Sequence, residues 1–216
     1  MSHGKALVVL LLAFAVVLGG VTVTRHVVAV ASEADAARLH RSILDYIAYR
    51  NPQAPISKFS RFPAVLLVEA QRTNIDHCLA LAQAEVESEF KHDAVGAAGE
   101  IGLYQILPST AVIIEPLVAP FKRPAVGKNG QRELGDLADP LVSTRFAMAY
   151  LRDIMTRKPN LRDALTEYNG GPAGRHQQYY RMVMGAYVEV LERPELRCRY
   201  RELPKPTPVL TQLSRA

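Results

Sequence analysis

The most apolar stretch of the chain lies at its start. Residues 6–23 carry no charged side chain, and they are flanked by Lys5 and Arg25. A membrane-spanning helix needs about 20 apolar residues, whereas the apolar core of a cleaved signal peptide has about 7 to 15. Length therefore favours an anchor, while the small-residue triplet Ala29-Val30-Ala31 leaves cleavage as the alternative. In both cases we expect the residues after Ser32 to be exported.

Further along the chain, apolar positions recur with helical spacing. Leu39, Ile43 and Ile47 predict an amphipathic helix over residues 33–50. Several prolines then indicate a linker, and a helical pattern resumes at residues 64–71. We therefore predict four segments: a signal anchor or signal peptide at 1–31, an amphipathic helix and linker at 32–63, one folded domain at 64–200, and a proline-rich, unstructured tail at 201–216.

The next helix carries a glutamate at an unusual position. Asp76 is a suitable N-cap, and one face then presents Leu79, Gln83, Val86 and Phe90. Glu87 lies one position off that face and near the end of the helix. Partial burial and the negative end of the helix dipole both raise the pKa of a carboxyl group, which suits a general acid. The alternative is an ordinary solvated glutamate, which helix position alone favours.

A glycine-rich loop follows this helix. Gly96, Gly99 and Gly102 interrupt helical structure within seven residues, and Pro108 is a good first-turn residue for a new helix. We therefore expect the chain to turn back beside the preceding helix. Gln105 offers a donor and an acceptor to a sugar amide or hydroxyl. The alternative is a flexible loop with a surface glutamine.

Two more helix starts follow in the second half of the chain. Asp139, followed by a proline, and Asn160 are both suitable N-caps. Residues 115–138, which precede the first of these helices, are predicted to form a long loop with a tight turn at Asn129-Gly130. The helix that begins at Asn160 ends at Tyr168-Asn169-Gly170-Gly171-Pro172. This run is either an ordinary C-terminal stop or a way to aim its first two side chains into a cleft.

Charge and composition narrow the ligand classes. The formal net charge of +5 suits an acidic partner such as the carboxylate-bearing cell wall or anionic lipid. The basic residues are scattered without interleaved aromatic residues, so we expect no nucleic-acid partner. The six histidines show no metal-ligand spacing, and there is no phosphate-binding loop. We therefore expect neither a metal nor a cofactor.

The chain has two cysteines, Cys78 and Cys198. In an exported protein they can form a disulfide bridge between distant segments. The alternative is a pair of buried thiols.

Taken together, these motifs resemble the soluble lytic transglycosylase (SLT) domain of family 1. The first family motif is matched without a gap by Glu87-Ser88, Phe90, Ala94, Gly99, Gly102-Leu103, Gln105-Ile106, Pro108 and Thr110-Ala111. The later motifs are matched in the same order by Asp139-Pro140, Tyr150-Leu151 and Tyr168-Asn169-Gly170-Gly171-Pro172. The resemblance extends from about Ala64 to about Tyr187. Gly96-Ala97 departs from the family, which often has Ser-Pro there, and Tyr104 stands where methionine is common.

The resemblance implies a mainly α fold: a lysozyme-like (goose-type) helical domain with a glycine-rich loop region, here preceded by an N-terminal membrane helix. It also implies a peptidoglycan lyase that leaves 1,6-anhydromuramic ends. Glu87 is then the catalytic acid and subsequently the base. Ser88, Gln105, Tyr168 and Asn169 are the expected substrate-binding residues, and Ser88 is also expected to support the local structure.

Two other functions stay open. Most glycosidases use two carboxylates, and the motif supplies one. A lysozyme-type hydrolase would need Glu100 or Glu167 as the second. The other reading is an accessory wall-remodelling component of an envelope-spanning secretion or conjugation apparatus. The expected partners are glycan strands and the cytoplasmic membrane, with the domain either anchored in the inner membrane and facing the periplasm or cleaved and soluble there.

Overall fold

The computed structural model describes residues 33–127, 130–174 and 177–199, and helices dominate these ranges. The helices are α1 (residues 33–50), α2 (Ile56–Phe59), α3 (Phe62–Thr73), α4 (His77–Ser88), α5 (Pro108–Ile114), α6 (Pro140–Arg157), α7 (Leu161–Gly170) and α8 (Gln177–Leu191). Three 3-10 turns lie at Glu115–Leu117, Gly135–Ala138 and Pro194–Leu196. The expected mainly α class is thereby confirmed.

The predicted anchor at residues 6–23 and the predicted tail at 201–216 lie outside the described residues. Inside those ranges, no helix combines the length and the apolar character needed to cross a bilayer. The division of the chain into four segments stays a prediction.

Helix α1 has the bounds expected from its apolar spacing. The chain divides into two compact units, and the second begins at Ile43. In the second unit, Ile43 and Tyr46 are buried, and the Tyr46 ring meets the Phe90 ring edge-on at 6.0 Å. The last two turns of α1 therefore belong to the core of the second unit.

Helix α4 is the central helix of the second unit. Asp76 caps it as predicted, because its carboxylate accepts a hydrogen bond from the Cys78 amide at 3.0 Å. Every residue from His77 to Ala84 is buried, so the helix is enclosed on all sides and not only on one apolar face. Two residues with positive φ, Glu89 and Phe90, end it directly after Ser88.

Helix α4 packs against α8 and α3. It packs most extensively against α8, while α3 packs against α6, and α7 contacts both α6 and α8. The start of α6 is capped by Asp139 and that of α7 by Asn160, as their positions predicted. Helix α3 begins at Phe62, two residues before its expected start, because Pro63 occupies the first turn.

A disulfide joins Cys78, at the start of α4, to Cys198, beyond α8. The bridge predicted as one of two alternatives is therefore present. The segment it attaches is also held by other contacts. Leu196 is fully buried, and its carbonyl oxygen lies 2.8 Å from Nε2 of His77.

The segment at residues 115–138 is more ordered than the loop that its sequence predicted. It contains an antiparallel pair of strands, β1 (Ala125–Val126) and β2 (Arg132–Glu133). Lys122 and Asp136 close the segment at its base, with the Lys122 amide 2.7 Å from the Asp136 carboxylate. Strands of two residues leave no alternating pattern in the sequence, which explains the error. The predicted turn residue Asn129 lies outside the described residues.

Candidate active site

A cleft of about 200 Å³ opens beside the end of α4. Its walls come from α4, the glycine-rich loop, α5, α6 and the end of α7. The lining residues are Glu87, Gly96, Ala97, Glu100, Gln105, Ile106, Leu107, Thr110, Tyr150, Tyr168 and Asn169. Three of the four predicted substrate-binding residues and the predicted acid thus meet in one place.

The glycine-rich loop is held against the end of α4 by its own backbone. Ile101 pairs with Val95 and with Ile106 in isolated antiparallel bridges. Gly102 has a φ of +85°, and a Cβ at this position would lie 1.9 Å from the Leu137 carbonyl oxygen. Only glycine fits both the conformation and the space. The loop therefore turns back beside Glu87, as expected.

Glu87 combines burial with a single hydrogen-bond donor. Its Oε1 accepts a hydrogen bond from the Tyr179 hydroxyl at 2.5 Å, and Nε2 of Gln83 donates to the same hydroxyl at 3.3 Å. Burial raises the pKa of Glu87 to about 7, the hydrogen bond from Tyr179 works against this rise, and the negative charge of Glu100 adds to it. A substantial fraction of the Glu87 carboxyl groups therefore hold a proton at neutral pH, as a general acid requires.

Tyr179 is the functional residue that the sequence did not reveal. It lies on α8, 92 residues from Glu87, outside every motif. One sequence signal was available: Tyr179, Val183, Tyr187 and Val190 recur with helical spacing, and all four are buried. A buried tyrosine hydroxyl needs a hydrogen-bond partner, and a carboxyl group on a neighbouring helix is a suitable one.

Ser88 is not among the residues that line the cleft, and its expected substrate-binding role stays a prediction. The side chain is buried, and its hydroxyl donates to the Leu103 carbonyl oxygen at 2.8 Å. It also lies 3.1 Å from the carbonyl oxygen of Ala84 in its own helix. Ser88 therefore ties the end of α4 to the glycine-rich loop, which is the supporting role that the family resemblance also implied.

Gln105 lines the cleft, but the nitrogen of its side-chain amide is hydrogen-bonded to the glycine-rich loop. It has a positive φ of 46°, and its Nε2 donates to the carbonyl oxygens of Ala94 at 3.2 Å and Gly102 at 2.9 Å. These bonds fix the side chain against the loop. The amide oxygen is the part that is left to accept a hydrogen bond from a ligand.

Tyr168 and Asn169 form the wall opposite the loop. The Tyr168 hydroxyl donates to the Tyr104 carbonyl oxygen at 3.0 Å, and its ring packs 5.1 Å from the ring of Tyr150. Because that hydroxyl is already bonded, Tyr168 presents its ring to a ligand, whereas Asn169 is exposed and presents an amide. The structure thus favours the functional reading of this helix end, and the binding role of both residues stays a prediction.

Glu100 and Glu167, the two candidates for a second carboxylate, have different surroundings. Glu100 lines the cleft and accepts a hydrogen bond from the Ala98 amide at 3.0 Å. Glu167 is buried elsewhere, in ion pairs with Arg157 and with Lys158, the latter at 2.7 Å. Burial by itself raises the pKa of Glu167, but the two ion pairs outweigh it and lower the pKa. Glu167 is therefore a structural anion.

At Gly96, where the sequence departs from the family motif, neighbouring side chains fill the space beside the backbone. A Cβ on Gly96 would lie 2.3 Å from Oε2 of Glu100 and 2.7 Å from Oε1 of Gln105. These two side chains therefore occupy the space into which a residue larger than glycine would extend.

Asp76, His77 and Cys78 bring potential metal-ligand atoms together within the described part of the chain. The sulfur of Cys78 is bonded to Cys198, however, so it offers no thiolate to a metal.

Comparison with known proteins places these observations in context. The family model described as transglycosylase SLT domain matches residues 65–185. A solved structure of an inactive mutant of lytic transglycosylase Slt from Pseudomonas aeruginosa is similar, with a TM-score of 0.51 and 20% identity over 70% of this chain. The 70 kDa soluble lytic transglycosylase from Escherichia coli gives a TM-score of 0.43 and 20% identity over 75% of this chain. The matches cover 30% and 28% of those two chains. No curated protein matches.

Proposed function

Since this chain belongs to the transglycosylase SLT domain family, we propose that it is a lytic transglycosylase of peptidoglycan. Its membership confirms the resemblance seen in the sequence motifs. The bond cleaved is the β-1,4 linkage between N-acetylmuramic acid and N-acetylglucosamine. The observation that carries the proposal is the carboxyl group of Glu87, which lies half-buried at the cleft, has a pKa of about 7 and is held by Tyr179.

In the first step, Glu87 acts as the acid. Because Oε1 is engaged by Tyr179, the other carboxyl oxygen is the one that presents its proton to the glycosidic oxygen. The bond between C1 of the muramic residue and that oxygen breaks, and the leaving glucosamine takes up the proton. The N-acetyl group of the muramic residue assists the departure.

In the second step, the same residue acts as the base. The carboxylate of Glu87 takes the proton from the C6 hydroxyl of the muramic residue, and O6 forms a bond to C1. The product is a 1,6-anhydromuramic end, and no water is consumed. Glu87 regains its proton, so one residue with a pKa near neutrality serves both steps.

A lysozyme-type hydrolase is the second candidate, and one observation favours it. The Glu100 carboxylate lines the same cleft, and its charge raises the pKa of Glu87. In this alternative Glu100 activates a water molecule that attacks C1, which leaves a reducing end.

We propose that the domain works outside the cytoplasmic membrane. The disulfide between Cys78 and Cys198 supports this location, because such bridges persist in oxidising compartments. The domain is then either anchored through residues 6–23 or released by cleavage after residue 31. The third candidate function, which the sequence left open, is that of an accessory component in an envelope-spanning complex.

The test is mass spectrometry of the fragments released from purified peptidoglycan. We expect the wild-type chain to release anhydromuramic ends and Glu87→Gln to reduce their release by at least about a hundredfold. Glu89→Gln is the matched control, since Glu89 lies on the same stretch but is exposed and paired with Lys91. Reducing ends in place of anhydro ends would establish the hydrolase. No fragments from a folded protein would favour the accessory role.

A further inference from the structure

The β-hairpin places a guanidinium group beside the glycine-rich loop. Arg132 on β2 brings Nη2 to 3.5 Å from the carbonyl oxygen of Gly99. Gly99 belongs to the turn in which Gly96, Ala97 and Glu100 line the cleft, and this turn is closed by a hydrogen bond from the Gly96 amide to the Glu100 carbonyl oxygen. Arg132 therefore stands on the outer side of the cleft rim.

The other described cations of this segment are neutralised by carboxylates. Lys122 pairs with Glu133 at 3.0 Å, and Arg123 pairs with Glu115 at 3.4 Å. Across the described residues, no carboxylate oxygen lies within ion-pair distance of Arg132. Its side chain is exposed, so the charge is available to an anion brought in by a ligand.

The part of the cleft rim next to Arg132 is formed by small residues. Residues 96–99 are Gly-Ala-Ala-Gly, so this part of the rim carries only small side chains, and the Glu100 carboxylate of the same turn is bonded to the Ala98 amide. A substituent on a sugar bound in the cleft meets few side-chain atoms where it crosses this part of the rim.

We propose that Arg132 binds a carboxylate of the peptide stems carried by the muramic residues of the substrate. The proposal rests on the proposed function, because it takes peptidoglycan as the substrate. A guanidinium group matches a carboxylate in shape and charge and donates two parallel hydrogen bonds to it. The enzyme accordingly prefers strands whose stem carboxylates are ionised over strands in which they are amides.

The test compares two substrates and three proteins. The substrates are purified peptidoglycan and the same material after its free carboxyl groups have been coupled to ammonia. The proteins are the wild-type chain, Arg132→Gln and the matched control Arg123→Gln, which removes an exposed cation that is already paired. Turnover is measured by released fragments, and binding is measured by co-sedimentation with the insoluble wall.

We expect amidation to raise the wild-type KM roughly two- to fivefold, as suits an exposed ion pair, with kcat little changed. Arg132→Gln has the same raised KM on unmodified peptidoglycan, and amidation does not raise it further. Arg123→Gln keeps the wild-type response to amidation.

An equal loss by Arg132→Gln on both substrates would mean that Arg132 only braces the loop through Gly99, and it would overturn the proposal. So would a wild-type response to amidation in the Arg132→Gln variant. Absence of turnover by the wild-type chain on either substrate would instead reject the proposed function, and the co-sedimentation comparison then still decides whether Arg132 binds stem carboxylates.

Discussion

The last turn of α4 and the last turns of α7 each contain a glutamate in a buried environment, yet the two carboxyl groups behave in opposite ways. Burial raises the pKa of Glu87 to about 7, because the only side chain bonded to it within the described residues is the neutral Tyr179 hydroxyl. Burial acts in the same direction on Glu167, but Lys158 and Arg157 outweigh it and lower the pKa. Burial alone therefore does not produce an acid, which also requires that no cation be nearby.

The strongest test of this contrast is the free energy of unfolding of two variants. In the unfolded chain Glu87 ionises near its ordinary pKa of 4.5, whereas in the folded protein it ionises only near pH 7. Above about pH 7 the folded protein therefore contains a charge that is less well solvated than in the unfolded chain. Glu87→Gln should therefore stabilise the fold by about 2 to 3 kcal/mol at pH 8. Glu167→Gln should destabilise it by about 1 to 2 kcal/mol at the same pH, because it leaves Arg157 and Lys158 without their anion.

Urea unfolding at pH 8 and pH 4 measures both effects. The gain from Glu87→Gln develops as pH rises from about 4.5 to 7, since the folded pKa is the higher one. The loss from Glu167→Gln is present above the unfolded pKa and disappears as pH falls through the lowered folded pKa. If both substitutions changed the free energy of unfolding in the same direction at pH 8, the contrast between Glu87 and Glu167 would be rejected.

The next largest effect concerns Tyr179. Its hydrogen bond works against the raised pKa of Glu87, so Tyr179→Phe should raise that pKa further and move the alkaline limb of kcat/KM to higher pH. We also expect an approximately tenfold loss of kcat, because Glu87 loses the group that orients it. Tyr187→Phe is the control: it removes another buried hydroxyl from α8, one that donates to Asp76 instead. A shift of the alkaline limb to lower pH in Tyr179→Phe would contradict the assigned contact.

The smallest effect is expected from Glu100→Gln. Removing the negative charge of Glu100 lowers the pKa of Glu87, so the alkaline limb of kcat/KM should move to lower pH. The products should still carry anhydro ends, at a rate within about fivefold of the wild type, since Glu100 only modulates the acid. Loss of activity comparable to that of Glu87→Gln would assign Glu100 a catalytic role and favour hydrolysis.

Features that depend on local chemistry were predictable from the sequence. The caps at Asp76, Asp139 and Asn160 fix helix starts through hydrogen bonds within three residues, so the sequence around each cap suffices. The cleft was predictable because the family motifs supply most of its walls. The raised pKa of Glu87 was predictable as far as it depends on burial, its largest cause, because the helical pattern places the residue at the border of the buried face.

Features that depend on packing between distant elements were not predictable. Tyr179 meets Glu87 only because α8 packs against α4, and nothing next to it in the sequence marks that contact. The bond from the Ser88 hydroxyl to the Leu103 carbonyl oxygen was equally hidden, because it depends on how the glycine-rich loop returns to the end of α4. The hairpin was missed because strands of two residues leave no alternating pattern in the sequence, and the contact that closes its base joins Lys122 to Asp136, 14 residues apart.

The bridge between Cys78 and Cys198 also governs how the domain bears mechanical load. It closes a covalent ring across a sequence separation of 120 residues, and every residue that lines the cleft lies inside that ring. Tension on the chain beyond Cys198 passes through the sulfur atoms directly into the first turn of α4. Tension applied beyond Cys198 is therefore carried along the backbone by α4 and not by α8, the helix that holds Tyr179 against Glu87.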